Sequence, residues 1–149
     1  MISTGYMRTR SARGFTLIEL LVVIAIIGIL STVVLASLST AKGKGNDVKI
    51  KAQLAGLRNS GEIYYDTNGG YGTATNSCGA NLFADTASGM SEYTTAGNYP
   101  AGTTLVCNST ASAYAVQANL TTSGQYWCVD SLGKSKSETV ALGTDTSCD

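Results

Sequence analysis

From Phe15 to Leu38 the chain is apolar at nearly every position, with no repeating polar face. Those 24 residues would span about 36 Å as an α-helix. A bilayer hydrocarbon core is roughly 30 Å thick, so the pattern predicts a membrane-crossing helix. A helix apolar all round can also lie inside a large protein, but the rest of this chain is too small to wrap one. Beyond Lys42 the pattern becomes amphipathic. Ile50, Leu54, Leu57, Gly61 and Tyr64 recur at offsets of four, three, four and three, which traces one helical face. Lys49, Lys51, Gln53, Arg58 and Glu62 mostly fill the remainder. The spanning run therefore continues into a half-exposed helix whose stripe packs on the domain that follows. Gly43 and Gly45 each cost about 1 kcal/mol relative to Ala in a helix, which predicts a bend or local unwinding there. The turn formers Asp66-Thr67-Asn68-Gly69-Gly70 predict its end.

Residues 71–104 are rich in Gly, Ala, Ser, Thr and Asn, with one short helix predicted around 80–89. From Leu105 the pattern turns to strands. Tyr114, Val116, Ala118 and Leu120 alternate with Ala115, Gln117 and Asn119. Thr121-Thr122-Ser123-Gly124 reads as a hairpin turn and residues 125–129 as the returning strand, with Trp127 and Val129 as core residues. Ser131-Leu132-Gly133-Lys134 turns again into a weaker strand over 138–142. Three or four antiparallel strands facing the amphipathic helix make the fold class α+β. The expected organisation is a leader at 1–14, a spanning helix at 15–40, its amphipathic continuation at 41–66 and a globular head at 67–149.

Charge sharpens this division. The net charge is zero over 149 residues, but Arg8, Arg10 and Arg13 precede the apolar run, and Glu19 is the only charge between Arg13 and Lys42. Lys42, Lys44, Lys49, Lys51 and Arg58 follow, opposed in that interval only by Asp47. Arginines before the run place the N-terminus in the cytoplasm and the head outside. From Gly69 onward two lysines face six acids, a mildly acidic surface that argues against nucleic-acid contact through a basic face. With no histidine in the chain, Ser-His and Cys-His catalysis and His-ligated metals are excluded. No catalytic residue, metal site or cofactor is expected, and no activated nucleophile is recognisable.

The four cysteines, Cys78, Cys107, Cys128 and Cys148, all lie in the polar half without a CxxC pair. An even number beyond a membrane segment points to two disulfides in an oxidising compartment. Three connectivities are open, with Cys78–Cys107 and Cys128–Cys148 preferred. Each bridge is worth typically about 2–4 kcal/mol, a substantial share of the stability of a small head poor in large apolar residues.

Glu19 is the costly residue. A carboxylate at the centre of a spanning helix costs roughly 2.5–3.5 kcal/mol, and somewhat less near an end, so it is a functional candidate whose partner needs naming. The run itself offers no cation. The bland alternative is a carboxylate at headgroup level with no specific role. Gly14-Phe15-Thr16-Leu17-Ile18-Glu19-Leu20, followed by the long apolar run, resembles the N-terminus of type IV pilins and of the pseudopilins of type II secretion. The resemblance covers roughly residues 8–40. It implies that a prepilin peptidase cuts between Gly14 and Phe15 and methylates the new amino terminus of Phe15. That terminus is a cation able to pair with Glu19 of a neighbouring copy, making Phe15 and Glu19 the subunit-assembly residues. It further implies a homo-oligomeric helical filament raised from the cytoplasmic membrane to the cell surface by an assembly ATPase and an inner-membrane platform. Gly28 would permit close helix approach, although glycine is common in membrane helices. Pilins often carry a proline about eight residues later, where this chain has Ala36.

Three functions compete on this reading. The favoured one is a structural prepilin of a type IV pilus-like filament. A pseudopilin of a secretion or DNA-uptake system is the alternative within the family. Outside it stands a secreted Ser/Thr-rich domain with an ordinary signal peptide cut near Ser39-Thr40-Ala41. Against the last, a signal peptide's apolar region is about 7–15 residues and rarely holds an acid. Asp66-x-Asn68-x-Gly70 lacks the later Glu of a calcium loop and reads as a helix-ending turn. Asn108-Ser109-Thr110 and Asn119-Leu120-Thr121 match glycosylation sequons, which arise by chance in a Thr-rich chain.

Overall fold

A computed structural model describes residues 14–122 and 124–149. Residues 1–13 of the expected leader, with Arg8, Arg10 and Arg13, and Ser123 of the expected hairpin turn lie outside the described residues. The chain forms two compact units, one ending at Ser39 and the other running from Thr40 to Asp149. The long helix α1, Leu17–Asn68, supplies residues to both.

In the first unit every described residue is exposed, and no residue of its most apolar 18-residue window is buried. This part of α1 is long and apolar enough to cross a membrane. Among the described residues nothing covers it.

In the second unit α1 buries a stripe, as the spacing predicts: Ile50, Leu54, Leu57, Ser60 and Gly61. Gly61 belongs there for its size. A Cβ at this position would lie 2.7 Å from the Tyr114 hydroxyl. The unwinding expected at Gly43 and Gly45 does not occur, because helix continues through both. Gly43 serves close packing instead. Thr121 Oγ1 donates to its carbonyl at 3.1 Å, and a Cβ would meet the Thr121 methyl at 3.0 Å. The Thr121 backbone N–H donates to Asp47 Oδ1 at 2.7 Å, so two bonds tie this turn to the helix. The helix ends at Asn68, where Gly69 adopts φ +71° and its N–H donates to the Tyr65 carbonyl, a left-handed C-terminal cap.

The short helix expected over 80–89 is a single 3₁₀ turn, Asn81–Ala84, that sets Leu82 and Phe83 in the core. A five-residue helix α2, Met90–Thr94, follows it and buries Met90. Its Ser/Thr-rich sequence gave no periodic signal. The sheet is antiparallel in the order β1 (Leu105–Ser109), β2 (Tyr114–Asn119), β3 (Tyr126–Asp130) and β4 (Ser135–Glu138). Val116 pairs with Cys107 and Val129, which fixes the register of the first three strands. The last strand forms earlier than the expected 138–142. Asp130 Oδ1 accepts the backbone N–H groups of Leu132 and Lys134, and Gly133 takes φ +93°, so the turn is tight and pairing resumes at Ser135.

Residues 139–149 form a strap instead, covering the sheet face turned away from α1. The face towards α1 carries Tyr114, Val116, Ala118 and Val129 in one core with Ile50, Leu54 and Leu57. Half-buried Trp127 packs against this core, and the Lys51 ammonium sits 4.5 Å from its ring centroid. The other face buries Ala115, Cys128, Leu142 and Cys148 in a second cluster. Its polar groups are satisfied mostly by strap backbone. Gln117 Nε2 donates to Glu138 Oε2 at 2.8 Å and to the Val140 carbonyl at 3.0 Å, while its Oε1 accepts the Leu142 N–H at 2.8 Å. Asn108 Nδ2 donates to the carbonyls of Gly143 and Asp145. Asp130 Oδ2 accepts the Cys148 N–H at 3.0 Å. Disulfides join Cys128 to Cys148, closing the strap on β3, and Cys78 to Cys107, tying the irregular segment to β1.

Candidate functional site

The residues singled out at the start of α1 lie together in the first unit. Gly14, Phe15 and Thr16 precede the first helical residue, so the Gly14–Phe15 bond sits in non-helical, exposed backbone. A Cβ at Gly14 would meet nothing within 4 Å, and the Phe15 side chain is 82% exposed.

Thr16 holds the N-cap position of α1. Its hydroxyl oxygen accepts the Glu19 backbone N–H at 3.3 Å, and its carbonyl accepts from Leu20. Glu19 returns the contact: its Oε2 accepts the Thr16 backbone N–H at 2.9 Å and the Thr16 hydroxyl at 2.8 Å. This is a capping box, in which a Thr and an acid three residues on satisfy each other's orphan donors. The sequence reading missed Thr16, although Thr-x-x-Glu ahead of an apolar run is itself a cap signature. All three contacts lie beyond the Gly14–Phe15 bond and would survive its cleavage. They use one carboxylate oxygen. Among the described residues, Glu19 Oε1 accepts no hydrogen bond and no cation pairs with it. Glu19 is thus positioned but not neutralised. Gly28 has no heavy atom within 4 Å of an added Cβ and leaves a flat spot on an exposed helix face.

The head offers little else that is chemically competent. Cys128, Glu138 and Cys148 bring three potential ligand atoms within 4.8 Å of one another, but both sulfurs are spent in one disulfide. The Glu138 oxygens accept from Gln117 and from the Asp149 N–H. Asn108 of the first sequon is fully buried with its amide nitrogen bonded twice, so the folded head does not present it for glycosylation. Asp66 and Asn68 of the calcium-like motif belong to the last turn of α1, as a helix-ending segment.

The model of the prokaryotic N-terminal methylation motif matches residues 9–35, which include Gly14, Phe15, Thr16 and Glu19. The type IV wide pilus major component PilA4 of Thermus thermophilus is 45% identical over 62 residues, covering 42% of this chain and 47% of that protein. The type II secretion system core protein G of Klebsiella michiganensis is 39% identical over 67 residues, 45% of this chain and 47% of that protein. Its counterpart in Klebsiella pneumoniae is 34% identical over 90 residues, 60% of this chain and 61% of that protein. No solved structure matches the chain significantly. The matched segment spans about half the length of the first two relatives. The chain therefore resembles type IV pilins and type II secretion pseudopilins, and it carries a match to the N-terminal methylation motif.

Proposed function

We propose that the chain is a prepilin, the structural subunit of a type IV pilus-like filament. The observation that carries this reading is an apolar helix segment headed by a methylation motif and a positioned carboxylate, the segment uncovered and the carboxylate uncompensated among the described residues. Cleavage after Gly14 by a prepilin peptidase frees the α-amino group of Phe15, which stays cationic when methylated. In a bundle of such helices the Phe15 amine of one copy pairs with Glu19 of the next. The capping box leaves Oε1 for that contact, and the pairing sets the axial stagger of the helices. Breaking a buried pair of this kind costs on the order of 3–5 kcal/mol, because it strands a charge. The apolar segments form the filament core and the disulfide-tied heads face solvent. An assembly ATPase and a membrane platform draw the subunits out of the cytoplasmic membrane.

A second reading has its own support. The longest alignment given above is to a secretion protein G, which favours a pseudopilin serving type II secretion. Both readings share the N-terminal processing. Mass spectrometry of the mature protein should find methylated Phe15 at the amino terminus, and replacing Gly14 with Phe should leave the leader attached. An amino terminus at Lys42 would establish an ordinary signal peptide and refute both readings.

A further inference from the structure

Most of the positive charge that closely follows the apolar run finds no partner among the described residues of the fold. Lys42, Lys44 and Lys49 are exposed on α1, and among the described residues none of them forms an ion pair or an ammonium hydrogen bond. Lys51 differs, being engaged over Trp127. The one acid of this interval, Asp47, is held by the Thr121 N–H at 2.7 Å and compensates none of the three. Because the Thr121 turn is bonded to both Gly43 and Asp47, this stretch of helix belongs to the folded head and presents its lysines from a fixed backbone.

Position along the chain supplies the partner. Lys42 lies four residues beyond Leu38, the last residue of the apolar run, so even extended backbone keeps its Cα within about 14 Å of that residue. Topology makes the charges an anomaly. Four lysines between residues 42 and 51 follow the run against three arginines before it, and the positive-inside rule expects few cations on the exported side. An ammonium near a bilayer surface gains from anionic headgroups, and a cluster of them gains together. We propose that Lys42, Lys44 and Lys49 bind the phosphates of anionic lipids in the outer leaflet, holding the head on the membrane until the subunit is extracted. This deepens the prepilin reading and rests on its topology: lipid contact made in the stored subunit must be given up on entry into the filament.

The test uses the full chain before assembly, reconstituted as single copies in nanodiscs of phosphatidylcholine, alone or mixed with phosphatidylglycerol. Amine acylation is followed residue by residue by mass spectrometry, with exposed Lys136 of β4 as the internal control. Acylation of Lys42, Lys44 and Lys49 should slow about fivefold or more in the anionic discs and recover in high salt, with Lys136 unchanged. Equal rates in both compositions would overturn the proposal. So would protection by free inorganic phosphate in phosphatidylcholine discs, which marks a soluble-anion site. Protection that appears only when copies associate would assign the lysines to acids of a neighbouring subunit and equally overturn it. None of these outcomes touches the prepilin reading, which stands or falls on the amino terminus at Phe15.

Discussion

Ile27 and Leu54 are both aliphatic residues of one helix, yet Ile27 is 55% exposed and Leu54 wholly buried. The difference is the sequence around them. Leu54 sits in a stripe whose intervening positions are polar, so one face can dry against β2 and β3 while the others stay wet. Ile27 has apolar neighbours on every side, and no sheet could cover them all. Fully burying such a side chain is worth about 1.5–3 kcal/mol, so leaving a whole segment of them in water is untenable. The head finds its partners within the chain. The apolar segment must find them elsewhere, first in lipid and then, on the proposed function, in further copies of itself.

If the head is self-contained, breaking its internal ties should unfold it while leaving membrane insertion intact. The largest effect is expected for Cys128→Ser with Cys148→Ser. Losing a bridge across 20 residues that also fastens the strap should lower the head's stability by about 3 kcal/mol, measured by denaturant unfolding. Gly61→Ala comes next. Its Cβ would press on the Tyr114 hydroxyl at 2.7 Å and on ring carbons at 2.9 Å, and overpacking of this kind costs about 1–3 kcal/mol. The smallest effect separates two neighbouring glycines. Gly45→Ala meets nothing within 4 Å and should stabilise the head by about 0.5–1 kcal/mol through helix propensity. At Gly43→Ala the Thr121 methyl at 3.0 Å should cancel that gain. Equal gains at the two sites would show that Gly43 is not there for close packing.

What could be read from the chain follows the same division. The apolar run and the buried stripe of α1 are local patterns, one continuous and one periodic, and both were legible. The second buried face of the sheet was not. Asn108, Gln117, Asp130 and Glu138 look like surface residues, and only strap backbone arriving from 139–149 and neighbouring side chains make their burial tolerable. Leu142 suggested a strand for a related reason: its apolar side chain is buried in the second cluster, whereas Val140 stays exposed and lends only its backbone carbonyl to Gln117. At the site, the exceptional cost of Glu19 was visible from its surroundings. Its bond to Thr16 was visible only to a search for caps, because attention to charge passes over a neutral partner.

Glu19→Gln tests the central claim most directly. An amide oxygen can still accept the Thr16 N–H, so the cap and membrane insertion should persist while the negative charge is lost. Thr16→Ala is the complementary control, losing the cap at about 1 kcal/mol and keeping the charge. Electron microscopy should find ordered filaments of Glu19→Gln reduced by about two orders of magnitude or more, and those of Thr16→Ala largely retained. Abundant filaments from Glu19→Gln would contradict the pairing of Glu19 with the freed Phe15 amine.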